Sequence, residues 1–334
     1  MQVSVISPTF LLAALLLLAS PGALADPFGQ DDLDWLKTMA FAAHQTDYIG
    51  TFVYQYGNHV ETSRITHISD RDGEHERLEG LDGVRREIIR SNDRVWCYLG
   101  ERKVSVENRQ GRRSFPALLP EQLSLLNENY RIKKAEEVRV AGFHTHAFIF
   151  QPRDNLRYTH KLWAHSDSGL LLKAAVLDAR GRVVEQYAFT QLTIGGNIDR
   201  TWITTDKPAI NSQARYTHSA FSSKAEPKAD QAVIESGWQV DLLPTGFKKT
   251  MEIRRPLHGK NVPVTHLIFS DGLAGISVFI EDMAGSPETN VGLSSQGAIQ
   301  VYSKVSGAHL VTVVGEVPPR TVMQVADSVR YRGQ

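Results

Sequence analysis

Tyr48-Ile49-Gly50-Thr51-Phe52-Val53-Tyr54-Gln55-Tyr56 is β-branched and aromatic almost throughout and runs straight into Gly57-Asn58. That composition predicts a strand leading into a turn. Side chains on a strand alternate between faces. One face would carry Tyr48, Gly50, Phe52, Tyr54 and Tyr56, and the other Ile49, Thr51 and Val53. Neither set is polar, so the strand needs cover on both sides. In an antiparallel sheet such cover is supplied by, for instance, helices lying in the hollow of a curved sheet. The stretch therefore reads as the first rib of such a sheet.

Upstream, Leu33, Leu36, Ala40 and Ala43 form one stripe of a helix, flanked by Trp35 and Met39, with Asp31 or Asp32 as its cap. Further upstream, Phe10 to Ala19 is apolar, Ser20-Pro21-Gly22 breaks it, and Ala23-Leu24-Ala25 follows. This is the pattern of a secretory signal peptide, without a basic n-region. The run is shorter than the ~20 residues a spanning helix needs. The mature chain would begin near Asp26.

Downstream come alternating stretches separated by polar turns: Val60 to Ile68, Glu74 to Leu81, Glu87 to Arg90, Arg94 to Leu99 and Lys103 to Val106. Short strands at such intervals mean an antiparallel meander rather than βαβ units. The pattern breaks at Asn108 to Pro120, where Pro120 can open a short helix through Gln122, Leu123 and Leu126. It resumes at Tyr130 to Val140, Phe143 to Phe150, Tyr158 to Ala164, Leu170 to Leu177 and Val183 to Ile194. Ser219 to Ser236 has linker composition. Beyond it, strands are expected at Trp238 to Val240, Thr265 to Ser270, Ile276 to Glu281, Ala298 to Ser303 and His309 to Gly315. Pro318-Pro319 then opens a helix carrying Val322, Val325, Ala326 and Val329. The expected division is 1–25 signal peptide, 26–212 first domain, 213–235 linker and 236–334 second, smaller α+β domain.

Lys+Arg and Asp+Glu each total 37 in the 334 residues, so no global field recruits nucleic acid or an anionic membrane. The single Cys97 permits no internal disulfide and reads as a small buried apolar residue. His144 and His146 would share a strand face as two zinc ligands, but no third ligand stands at a diagnostic spacing. There is no nucleophile elbow, His-Glu-x-x-His, phosphate loop or dinucleotide fingerprint. Asp167-Ser168-Gly169 reads as a turn. The expectation is a non-enzymatic binding protein with no catalytic residues, metal or cofactor. An exported hydrolase or metalloenzyme is the rival that bound zinc would revive.

The positive candidate is the break itself. Arg109, Arg112 and Arg113 beside Phe115, Leu118 and Leu119 would suit a ligand with phosphate and acyl parts, because guanidinium forks phosphate. Equally, Phe115, Leu118 and Leu119 could tuck into the domain's own core and leave the arginines solvated. Phe52 and Tyr54 are in the same position, as cavity wall or ordinary core. Trp238, Leu243 and Phe247 open the second domain as a candidate partner surface, with core the simpler reading.

Several motifs together carry a resemblance. They are Asp34-Trp35-Leu36; Tyr48-x-Gly50-Thr51-Phe52-Val53-Tyr54; Gly237-Trp238-x-Val240 with Leu243-Pro244-x-Gly246-Phe247; Ser270-Asp271-Gly272-Leu273-Ala274 with Ser277-Val278-Phe279-Ile280-Glu281; and Val313-Val314-Gly315-Glu316-Val317-Pro318. Across essentially the whole mature chain, the sequence resembles the periplasmic RseB/MucB family, negative regulators of the envelope-stress sigma factor. The resemblance implies a first domain similar to the lipoprotein carriers LolA and LolB, an unclosed antiparallel β-barrel with helices packed in its hollow. It implies a smaller second domain that contacts the periplasmic part of a membrane anti-sigma factor of the RseA or MucA type and shields it from a DegS-type protease. Lipopolysaccharide or mislocalised lipoprotein acyl chains, acting through the first domain, would be the releasing signal. A periplasmic lipid or lipoprotein carrier of the LolA type is the alternative. The oligomeric state, a homodimer included, stays open.

Overall fold

The computed structural model describes residues 30–92, 94–100, 102–107, 114–120, 123–205, 234–255, 263–283 and 291–333. The expected signal peptide, the expected linker up to residue 233 and the arginines at 109, 112 and 113 lie outside the described residues. The first domain comprises α1 (Gln30–Gln45), β1 (Tyr48–Tyr56), β2 (His59–Asp70), β3 (Gly73–Gly80), β4 (Arg86–Ser91), β5 (Arg94–Leu99) and β6 (Arg102–Glu107). It continues with α2 (Ser124–Asn129), β7 (Tyr130–Val140), β8 (Phe143–Pro152), β9 (Thr159–His165), β10 (Leu171–Leu177), β11 (Val183–Ile194) and α3 (Thr201–Thr205). The helix α1 already includes Asp31 and Asp32, ahead of the start expected for it.

Strands β1 to β11 form one antiparallel sheet in the order β6-β5-β4-β3-β2-β1-β11-β10-β9-β8-β7. The two ends, β6 and β7, do not pair with each other, so the barrel is open. The first rib lies in the middle of the sheet, flanked by β2 and β11. Pairing of Tyr48 with His67 and Ile194 sets the register, with a bulge between Thr51 and Phe52 against β11. A slip of one residue would turn Tyr48 and Phe52 out of the hollow.

The hollow is filled by protein. Leu36, Met39, Ala40 and Ala43 of α1, with Leu123 and with Leu126 of α2, pack against Tyr48, Phe52, Ile65, Phe148, Phe150 and Phe189. Leu36 and Leu126 are wholly buried, each contributing about 2 kcal/mol by area removed from water. The opposite face of β1 is covered too: Ile49 packs with Ile68, Ile89, Ile198 and Trp202, the last carried by α3. The sequence predicts no element at α3, because a helix of five residues leaves no periodic pattern to read.

The second domain comprises β12 (Trp238–Val240), β13 (Lys248–Arg255), β14 (Val264–Ser270), β15 (Gly275–Asp282), β16 (Gly292–Gln296), β17 (Ile299–Ser306), β18 (His309–Gly315), α4 (Pro319–Asp327) and β19 (Val329–Tyr331). Six strands pair in the order β13-β14-β15-β18-β17-β16, and β12 pairs separately with β19. Val322 and Val325 of α4 meet Leu267, Val278, Val311 and Val313 in its core. The whole is therefore an α+β protein of two domains. Edge strands β13 and β16 escape the sequence reading because one is heavily charged and the other polar and exposed.

Three smaller expectations meet the structure here. Cys97 is a free thiol but only half-buried, which corrects the buried reading. His146 faces Glu137 at 3.0 Å and stands edge-on to Trp35, and the described residues hold no metal-binding cluster of three or more His, Cys, Asp or Glu side chains. Ser168 sits in a turn, where its Oγ lies 2.9 Å from His165 Nδ1 and accepts the Leu170 N–H.

Candidate functional site

Two features stand out: an aromatic wall in the hollow and a polar joint between the domains. Strands β1 and β11 build the wall. Phe52 and Tyr54 lie beside Phe189 and Tyr187, their register partners. Gly50 makes this possible, since a Cβ there would lie 2.7 Å from both the Gln191 carbonyl oxygen and the Phe189 ring. Into this wall comes Phe115, from the segment that interrupts the meander. Its ring stacks on Tyr187 with centroids 5.5 Å apart and meets Phe52 edge-on at 5.2 Å. Tyr187 also stacks on Tyr54 at 4.5 Å. Such ring contacts add about 1 kcal/mol each beyond area burial.

Of the residues expected to bind lipid, Phe52, Tyr54, Phe115, Leu118 and Leu119 thus come together. Phe115 and Leu119 are buried in the hollow, and Leu118 is partly buried against the same core. Arg109, Arg112 and Arg113 lie outside the described residues. Tyr187 and Phe189 complete the wall and were not singled out from the sequence. Their alternation on Tyr187-Ala188-Phe189 was the available signal, but only the pairing of β1 with β11 places them beside Phe52.

The joint is built around Arg157, in the loop between β8 and β9. Its Nε donates to Asp271 Oδ2 at 2.5 Å, and its other nitrogens donate to Asp154 and to the Thr245 carbonyl. Its guanidinium lies 4.9 Å from the centre of the Phe247 ring. Asp271 belongs to the β14–β15 turn. Its Oδ2 also accepts the Tyr130 hydroxyl and its Oδ1 the N–H groups of Leu273 and Ala274. The side chains of Arg157 and Asp271 are almost completely buried, at 1% and 0% exposure. Thr321 of α4 adds a hydrogen bond to the Leu156 carbonyl. Phe247, expected as a partner contact with core the simpler reading, is buried in the second domain's core and also meets Arg157 of the first domain. Trp238 and Leu243 pack partly buried against the second domain's core. None of Arg157, Asp271 or Tyr130 carries a sequence signal for this role beyond Asp271's place in the Ser-Asp-Gly-Leu-Ala motif.

These two domains match two family models in order. Residues 31–207 match the MucB/RseB N-terminal domain and residues 232–330 the MucB/RseB C-terminal domain. The chain belongs to the MucB/RseB family. It is 34% identical over 323 residues to the sigma factor AlgU regulatory protein MucB of Pseudomonas aeruginosa, covering 95% of this chain and 96% of that one. Among solved structures it is similar to MucB in the Pseudomonas aeruginosa MucA/MucB complex, with a TM-score of 0.69, 31% identity and coverage of 91% of this chain and 100% of the other. It is also similar to a crystal structure of MucB, with a TM-score of 0.59, 29% identity and coverage of 91% and 98%. The relatives of this MucB/RseB chain carry the names of regulatory proteins.

Proposed function

We propose that this chain is a non-enzymatic periplasmic regulator. It binds the periplasmic part of a membrane anti-sigma factor of the MucA or RseA type and shields it from regulated proteolysis, so the envelope-stress sigma factor stays sequestered. The observation that carries this reading is the end-to-end similarity, through both domains, to MucB solved together with MucA. Lipopolysaccharide or lipoprotein acyl chains, entering the first domain's hollow, are the releasing signal. The aromatic wall suits an acyl chain, and its occupant Phe115 is held by contacts that an apolar ligand can replace. Ligand and partner are linked reciprocally: a lipid that prefers the free protein weakens partner binding by the same factor.

The test uses the exported full-length chain and a MucA-type periplasmic fragment. Capture of the fragment and slower cleavage by a DegS-type protease are expected. Added lipopolysaccharide is expected to restore cleavage, and the charge reversal Arg112→Glu with Arg113→Glu to blunt that restoration while leaving basal capture near normal. A fragment that is neither captured nor protected removes the proposal.

A further inference from the structure

The domains meet at a second place, distinct from the Arg157 joint, and there the contact runs through the wall of the hollow. Glu185 of β11 is buried, and its Oε2 accepts two hydrogen bonds at 2.9 Å. One comes from the hydroxyl of Tyr54 in the first domain and the other from the backbone N–H of Ala298 in the second. Ala298 itself is 1% exposed and packs with Tyr158 and Val176 of the first domain. The turn beside it depends on glycine. Gly297 has φ +59°, and a Cβ there would clash with Glu185 Oε2 and lie 2.7 Å from the Tyr54 hydroxyl oxygen. Burial and the neighbouring Glu185 push the Tyr54 hydroxyl well above its ordinary range, so it stays a donor. Among the described residues the Ala298 N–H is the second-domain donor to Glu185, which makes that N–H a direct reporter.

A continuous series of contacts follows. Phe115 stacks on Tyr187, Tyr187 on Tyr54, the Tyr54 hydroxyl bonds Glu185, and Glu185 bonds Ala298. One substitution removes the Tyr54 hydroxyl and another removes the carboxylate itself, so each link can be broken separately. Contiguity alone does not establish coupling; an equilibrium that both ends bias does.

We infer that Glu185 is a positioning residue that couples the packing of the first domain's hollow to the placement of the second domain. With Phe115 seated, Tyr187 holds Tyr54 and the phenol holds the carboxylate under Ala298. When the ring leaves, the phenol shifts, the carboxylate turns toward water and the Gly297–Ala298 turn is released. The consequence for partner binding rests on the proposed function above; the coupling itself does not.

The experiment is hydrogen exchange by NMR on the full-length chain, read at the amides of Ala298, of Leu273 and of Val313 in the middle of the second sheet. Glu185→Ala, Tyr54→Phe and Phe115→Ala are each expected to speed exchange at Ala298 by about tenfold, the usual scale of coupling between sites, and to leave Val313 and Leu273 unchanged. Tyr54→Phe combined with Glu185→Ala should be no worse than Glu185→Ala alone. Affinity for a MucA-type periplasmic fragment should fall about tenfold in step. If Ala298 stays protected in Tyr54→Phe while Glu185→Ala exposes it, the wall does not reach the second domain and the inference falls. Should Phe115→Ala fail to fold, Tyr54→Phe decides. A wild-type chain that ignores the fragment counts against the proposed function, and the exchange data still decide the coupling.

Discussion

Gly50 has no room for a side chain, because Phe189 and the Gln191 carbonyl occupy the place a Cβ would take. Surroundings also govern His160, a half-buried residue edge-on to Tyr130 whose Nε2 is out of water and makes no hydrogen bond among the described residues. Burial holds its pKa down from 6.5 to about 4, against a small upward pull from Asp271. The folded state thus refuses a proton that the unfolded chain accepts below 6.5. Stability is complete above that pH and is lost as pH falls toward about 4, by up to about 3 kcal/mol. Urea unfolding at pH 7 and pH 4.5 should show the loss in the wild type and a smaller one in His160→Phe. Glu74 acts lower on the scale. Burial raises its pKa, but hydrogen bonds with His44 and His67 outweigh that and hold it at about 2. Its contribution is present above 4.5 and disappears as pH falls through about 2.

At the scale of elements, α1 is the piece that makes the open sheet a domain. A sheet whose two ends stay apart cannot close a core by itself, so the hollow must be filled from elsewhere in the chain. Leu36, Met39, Ala40 and Ala43 do this from one stripe of a single helix, and Phe115 and Leu119 complete it from a loop. Leu36→Ala should therefore cost about 3 kcal/mol in denaturant unfolding, because the sheet around it is too well paired to collapse into the cavity. An exposed α1 position such as Lys37, which pairs with Asp34 on the surface, should change stability by less than about 0.5 kcal/mol when replaced by Ala. The edge strand β7 presents Arg131, Lys133, Lys134, Glu137 and Arg139 outward, charges that discourage another strand from pairing with it.

For the whole molecule, what matters is how two domains behave as one. The joint is polar and buried, so it discriminates sharply between intact and broken. Removing one partner of a buried ion pair leaves the other charge stranded, at a cost of about 3 kcal/mol or more. In Arg157→Ala, calorimetry should resolve the melting of the second domain from that of the first, where the wild type melts in closer concert. Asp271→Asn should do the same. The double variant should cost much less than the sum of the two, because the same ion pair is lost only once. Independent melting of the two domains in the wild type would show that the joint carries no such coupling.

The strand at Tyr48 to Tyr56, the meander around it, α1 and α4 were legible in the residues, because alternation and helical stripes are local properties of the chain, although Val329, expected on α4, begins β19 instead. So was the grouping of Phe52 and Tyr54 on one face. The charged β13, the polar β16 and the short α3 were not, since their place depends on neighbours far away in sequence. The expected division into two domains came from the linker composition of Ser219 to Ser236, and the resemblance to a known family agrees with it. Only the tertiary structure seated Phe115 against Tyr187, buried Arg157 beside Asp271, and brought Glu185 under Ala298. Each of those contacts joins residues dozens to more than a hundred positions apart, and no periodicity in a chain can encode which distant side chain will be waiting on the other side.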